Sequence, residues 1–246
     1  MTARRLLIAL TGTAAAAMLG ACVSVLPRTE PDQLYSFGRG VDRAVPAAEG
    51  PSPNAAGVLL TAVDLPRAST GDGILTRDGS RNAYIAQSRW VGPATVLFRE
   101  AVERAFKRGA TQTRLISRGE TGRAALVLRI DVQDFEAVFD DGPMLPPTVG
   151  LSLRARLTRP DGTAVAERGF QSSRKAADNR VGLIVDGYDA VTADVLAQLL
   201  AWTEATAAAL PPTVQAPTGR PIAGPAAPSE QEQQPPPPPA PSAPVQ

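Results

Sequence analysis

Five carboxylates fall close together in the chain, at Asp131, Asp134, Glu136, Asp140 and Asp141, and two of them could in principle serve as the acid and base of glycoside hydrolysis. Asp134 and Glu136, however, alternate with Phe135, Ala137 and Phe139, so the same spacing fits the charged, solvated face of a strand. Asp140-Asp141-Gly142 resembles a fragment of a calcium loop but lacks the alternating oxygen ligands that follow in one. Histidine is absent, which removes an imidazole base, a Ser-His-Asp or Cys-His nucleophile and a histidine metal ligand. The single cysteine, Cys22, excludes an internal disulfide and a thiolate zinc cage. Neither Gly71-Asp72-Gly73 nor Gly119-Glu120-Thr121-Gly122 has dinucleotide or phosphate-loop spacing, and no Gly-x-Ser-x-Gly elbow occurs. A Ser-Lys dyad would have to use Lys107 or Lys175, both in charged surroundings. Trp90 and Trp202 could stack on a ligand, but their positions at a helix start and on an apolar stripe suit a core. The residues thus predict no catalytic group, no cofactor site and no metal site.

Two terminal segments stand apart from any fold. Residues 1–21 have the three parts of a secretory signal: Arg4 and Arg5, an apolar run from Leu6 to Met18, then small residues. At 13 residues the run makes about 20 Å of helix, too short for a hydrocarbon core of about 30 Å. Leu19-Gly20-Ala21-Cys22 resembles the lipobox of bacterial lipoproteins, in which the cysteine receives a diacylglyceryl group and becomes the new amino terminus. Two or three acyl chains give stable anchoring where one does not. Val23 and Ser24 follow the cysteine rather than the Asp associated with inner-membrane retention, so the resemblance implies the periplasmic face of the outer membrane. At the other end, residues 211–246 hold 13 of the 24 prolines and no aromatic residue, a composition expected to stay disordered with polyproline II stretches.

What remains is a linker over 22–32 and a body over 33–210. Its charge is balanced, with a net charge of +1 for the whole chain, and offers no footprint for nucleic acid. Hydrophobic residues make up 43% and aromatic residues only 4%, so the core must be largely aliphatic. Leu34 to Gly38 reads as a short strand followed by a Pro/Ala/Gly-rich linker, and Gly57 to Pro66 as a buried central strand. Ile74 to Thr76 and Ala83 to Ser88 flank Arg77-Asp78-Gly79-Ser80 as a hairpin. Pro93 is expected in the first turn of a helix whose apolar face is Ala94, Leu97, Phe98, Ala101, Val102, Ala105 and Phe106, with Gly109 as its stop.

Three strands then form an antiparallel meander. In the first, Leu126, Leu128, Ile130 and Val132 share one parity and Phe135, Ala137 and Phe139 the other, which predicts a β-bulge near Gln133-Asp134. The second alternates from Val149 to Leu157, and Pro160-Asp161-Gly162 turns the chain into the third, Thr163 to Gln171. A closing helix from near Asp186 to Leu210 carries Tyr188, Val191, Val195, Leu199, Trp202, Ala205 and Ala209 on one stripe. The fold class expected is α/β (α+β): a single two-layer sandwich, with a mixed, largely antiparallel sheet packed by two main helices.

This order of pieces resembles the ABC-type transport auxiliary lipoproteins, the PqiC-like family. The resemblance rests on the lipobox cysteine, Tyr35-Ser36-Phe37, the apolar run Val58 to Leu65, Ala83-Tyr84-Ile85 leading to Arg89-Trp90 and Pro93, Asp134-Phe135-Glu136-Ala137-Val138, the Asp161-Gly162 hairpin and the helix with Trp202. It covers about Glu30 to Leu210 and leaves out the Pro-rich tail. It implies a non-catalytic outer-membrane lipoprotein working with an MCE-domain protein and its ABC permease and ATPase to move lipid between membranes, with phospholipid as one candidate cargo. Self-association into a ring would enclose an apolar path, and Trp90, Pro93 and Trp202 are candidates for structural or docking roles. Two other classes fit the residues: an envelope assembly or adaptor lipoprotein that handles no lipid and, more distantly, a periplasmic hydrolase using a buried carboxylate pair.

Overall fold

The computed structural model describes residues 31–116, 119–120 and 124–210. The elements follow in the order Gln33–Tyr35 (β1), Val41–Ala44 (α1), Ala56–Asp64 (β2), Gly73–Asp78 (β3), Arg81–Trp90 (β4), Ala94–Gly109 (α2), Thr113–Ile116 (β5), Leu126–Val138 (β6), Thr148–Thr158 (β7), Ala164–Lys175 (β8) and Val181–Ala209 (α3). The eight strands make one mixed, open sheet.

β6 organises that sheet because it is long enough to hold two neighbours on one edge. β7 runs antiparallel along its whole length, and β8 runs antiparallel to β7. On the opposite edge, β2 pairs in parallel with the first half of β6, from Val58 opposite Leu126 to Asp64 opposite Asp131. β3 pairs in parallel with its last two residues, Ala137 and Val138. The sheet therefore branches: β5 lies beyond β2, while β4 and then β1 lie beyond β3. The longest ladders are antiparallel, as expected, and the parallel pairings are short.

The expected bulge lies in β6, where Val132 faces Leu153 and Asp134 faces Ser152, leaving Gln133 as the extra residue. The extra residue flips the parity, so Leu126, Leu128, Ile130, Val132, Phe135 and Ala137 all enter one core. The β3–β4 hairpin turns at Gly79-Ser80, with Gly79 in the left-handed region at φ +56°. At the β7–β8 turn, Gly162 takes φ +88° and the Asp161 carboxylate accepts the Thr163 N–H.

α2 and α3 cover the apolar face of the sheet, α3 over β7 and β8, and α2 over β2 and β5. Between the helices and the sheet sits an aromatic cluster, with Phe37 4.9 Å from Trp90, Phe135 4.9 Å from Tyr188, and Trp90 5.3 Å from Tyr188. The Tyr188 hydroxyl donates to the Leu75 carbonyl, and burial pushes its ionisation well above the usual value, so it remains a donor.

Several local expectations change. Pro93 is the residue before the first helical turn rather than within it, with ψ 132° in the extended range. Gly109 belongs to the helix; a Cβ there would run into Val45 and Leu200, so close packing and not a left-handed stop calls for glycine. α3 begins at Val181, five residues before Asp186, because Ile184 and Val185 also reach the core. At its far end Ala205 and Ala209 are exposed and Thr203 is buried instead, since the stripe drifts around a helix of this length. The expected linker contains α1, and β5 is an additional strand.

Candidate functional site

Leu19, Gly20, Ala21 and Cys22, expected from sequence to form a lipobox, lie outside the described residues, as do the rest of residues 1–21 and the Pro-rich tail. The other candidates divide. Trp90 is 3% exposed in the centre of the aromatic cluster, which withdraws it from any docking surface. Trp202 is half-buried, its ring 5.6 Å from Phe170 across the helix–sheet seam. Pro93 is exposed at the start of α2, where its carbonyl accepts the N–H groups of Val96 and Leu97.

The carboxylates of the acidic segment do not form a buried pair. Asp131, Asp134 and Glu136 project from the side of β6 opposite Leu128, Phe135 and Ala137, onto the sheet face away from α2 and α3. There Glu136 accepts the Arg77 Nε–H at 2.8 Å, with its side chain 16% exposed, and Asp134 accepts the Ser152 hydroxyl. The Glu136 hydrogen bond and charge in turn hold the Arg77 guanidinium above its ordinary value. Asp141 sits in the following loop, 2.6 Å from Lys175. Arg129 with Asp64, and Arg154 and Arg156 with Glu167, continue the pattern, so this face is a lattice of opposite charges. Among the described residues, no group of three or more Asp, Glu, His or Cys side chains is placed to hold a metal.

Among the concave regions of the described residues, two lie beside the sheet's open face and its β2–β5 edge. A shallow trough on the open face is lined by Arg77, Glu136, Asp134, Ser152, Gln171 and Ser173. A more apolar cleft between α2 and the β2–β5 edge has a floor of Leu59, Leu60, Phe106, Leu115 and Ile116, with Arg99, Glu103 and Lys107 at its rim. Neither brings together a nucleophile, a base and an oxyanion donor.

The strand directions give the domain two ends. β3 and β6 are parallel and finish side by side, so the β3–β4 turn and the β6–β7 loop share one end, joined where the Phe139 N–H donates to the Arg77 carbonyl. α3 starts at that same end, where Asn179 donates to the Pro143 carbonyl. It finishes at the other, where Glu204 meets Thr111 to Thr113.

The sequence profile of the ABC-type transport auxiliary lipoprotein component family matches residues 41–200. The chain belongs to this family. The match begins at the first residue of α1 and ends at Leu200 within α3, so it takes in the elements from α1 to β8 and the greater part of α3. No curated protein matches the chain. Among solved structures, protein XCC0632 from Xanthomonas campestris is similar at 22% identity and a TM-score of 0.56, covering 71% of this chain and 96% of that one. An uncharacterized protein is similar at 14% identity and a TM-score of 0.50, covering 71% of this chain and 99% of the other. Both likenesses concern the fold. Within the family's domain, the expectations from sequence had passed over the β6–β7 loop, where Met144 is 85% and Leu145 49% exposed. The available signal was an apolar Met-Leu pair set among prolines at 143, 146 and 147, with Asp140, Asp141 and Gly142 just before.

Proposed function

We propose that this auxiliary lipoprotein is a non-catalytic docking subunit of an MCE-type ABC transporter, held by acyl chains on Cys22 at the periplasmic face of the outer membrane. In this reading residues 1–21 are removed, 22–32 form the lipidated linker, 33–210 the docking domain and 211–246 a disordered Pro-rich tail. Its partners are an MCE-domain protein with its ABC permease and ATPase, and the cargo is phospholipid. Copies of the domain associate around the path of that cargo.

The observation that carries the reading is the family match across residues 41–200. The site geometry agrees with it: the carboxylates that could have worked as acid and base are spread over an open face and held by Arg77, Ser152 and Lys175. A face of alternating charges suits recognition, because complementary potentials select a partner and speed encounter more than they add affinity.

Affinity capture of the full lipidated chain from detergent-solubilised envelopes tests this. The MCE-domain protein and its ATPase should co-purify, together with phospholipid. Recovery of other envelope proteins with neither would overturn the transport reading in favour of an assembly adaptor.

A further inference from the structure

The β6–β7 loop is a short, stiff projection that presents apolar side chains to the outside. Its base is held on both sides, by Lys175 to Asp141 at 2.6 Å and by Asn179 to the Pro143 carbonyl at 2.9 Å. Gly142, at φ +102°, turns the chain, and the Leu145 N–H closes back on the Gly142 carbonyl. Three prolines limit what remains. Met144 at the tip is nevertheless 85% exposed, and Leu145 beside it 49%. A braced loop gains nothing within its own fold from holding these two side chains in water, whereas an exposed apolar feature on a rigid support suits insertion into another phase.

The direction of the chain indicates which phase. β1 is parallel to β4, with Gln33 opposite Ser88 and Tyr35 opposite Trp90, so the segment before β1 comes from the end where β4 begins. That is the end carrying the β3–β4 turn and the Met144 loop. Along β3, the distance from Gly73, opposite Arg89, to Asp78, opposite Arg81, is five strand steps, about 17 Å. Cys22 precedes Gln33 by eleven residues, a span of at most about 36–40 Å. An anchor on Cys22 can therefore reach this end with chain to spare.

We infer that Met144 and Leu145 dip into the lipid leaflet that holds the acylated Cys22, so that this end of the domain faces the membrane. The inference rests on the lipid anchor of the proposed function. It commits to a zwitterionic surface of the phosphatidylethanolamine class, since the charges at this end, Asp78, Glu136, Asp140, Asp141 and Asp178 against Arg77, Arg81, Lys175 and Arg180, form no cationic collar. Two side chains do not anchor a protein; they orient one that acyl chains already hold. α3, which starts at this end, then carries its last residues away from the leaflet.

The test uses the mature lipidated full chain in phosphatidylethanolamine–phosphatidylcholine vesicles, with an environment-sensitive fluorophore on Met144→Cys or, as a control at the other end, Ala208→Cys. An acylated Cys22 thiol does not react with the label, and palmitate incorporation is scored separately. The label at 144 should shift to the blue and be quenched severalfold by lipids brominated on their acyl chains, while the label at 208 stays accessible to iodide in the water. Equal behaviour of the two labels in a palmitate-bearing protein overturns the inserted loop and leaves the anchor standing. So does a label at 144 that becomes shielded only when an MCE-domain protein is added. Absence of palmitate overturns the anchor, and the insertion with it.

Discussion

Glu204 holds Thr113 twice: one carboxylate oxygen accepts both the backbone N–H, at 2.8 Å, and the hydroxyl of this fully buried residue. Its other oxygen accepts the N–H groups of Thr111 and Gln112 and the Thr111 hydroxyl, each at 2.8 Å. The last part of α3 thus positions the first residue of β5, and among the described residues β5 is an edge strand that pairs with β2 alone. Glu204→Ala leaves the Thr113 donors without this acceptor, while water can serve the exposed Thr111 and Gln112. A loss of about 1–3 kcal/mol is expected, read as a lower urea midpoint with an unchanged slope.

The same carboxylate should make stability depend on pH. Burial alone would raise its pKa, but the donors from Gln112, Thr113 and Thr111 outweigh it and hold the group below its ordinary value of 4.5. A lowered folded-state pKa contributes stability that is present above pH 4.5 and is lost as the pH falls through the lowered value. The stability gap between wild type and Glu204→Gln should therefore be widest near neutrality and shrink on acidification below pH 4.5. A gap that stays constant across a urea-midpoint pH series would show that charge at Glu204 does not stabilise the fold.

Two glycines of α3 should respond in opposite directions to alanine. A Cβ on Gly187 would lie 2.8 Å from Val149 Cγ2, and relieving it means moving α3 off β7. Gly187→Ala should cost about 1–3 kcal/mol. Gly182, in the first turn, has nothing within 4 Å of the same point, so Gly182→Ala should gain about 0.5–1 kcal/mol by removing backbone freedom from the unfolded chain. Melting temperatures that move together would refute this account of the α3–β7 approach.

Among the described residues, the Thr192 hydroxyl is the buried side-chain polar atom without a hydrogen-bond partner. Thr203, equally buried, donates to the Leu199 carbonyl at 2.8 Å. Thr192→Val should therefore stabilise the protein by about 1 kcal/mol, and Thr203→Val by less. Thermal unfolding decides: a destabilised Thr192→Val would mean that the hydroxyl has a role after all.

The proposed anchor on Cys22 gives a cellular prediction. Palmitate should label the wild type and not Cys22→Ala. Val23→Asp should keep the label and move the protein to the inner-membrane fraction on a density gradient. Equal labelling of wild type and Cys22→Ala would remove the anchor reading.

The features readable from sequence were those set by near neighbours. The parity change between Val132 and Phe135 marked the bulge before its partner strand was known, because a pleated strand must keep one face inward. The apolar face of α2, from Ala94 to Phe106, and the Asp78-Gly79 turn were legible for the same local reason. β5 was not, since four residues have no period and become a strand only by pairing with β2 while Glu204 holds their start. α1 was equally hidden: four residues cannot nucleate a helix alone, and this one forms where Asp189 accepts the Gly40 N–H and Val41 enters the core.

For this protein, the sequence by itself determined the single cysteine at position 22, the absence of imidazole side chains, the balanced charge and the inward face of α2 and of the long strands, because each follows from residue type or from neighbours within a turn or two. Only the tertiary structure decided that β2 and β3 share one edge of β6, that the carboxylates meet arginine and serine on an open face, and that the Met144 loop shares its end with the start of β4, along which β1 runs in parallel. These relations join residues distant in the chain, and parallel pairings carry no short-range signal because their connections are long enough to hide which strands will meet.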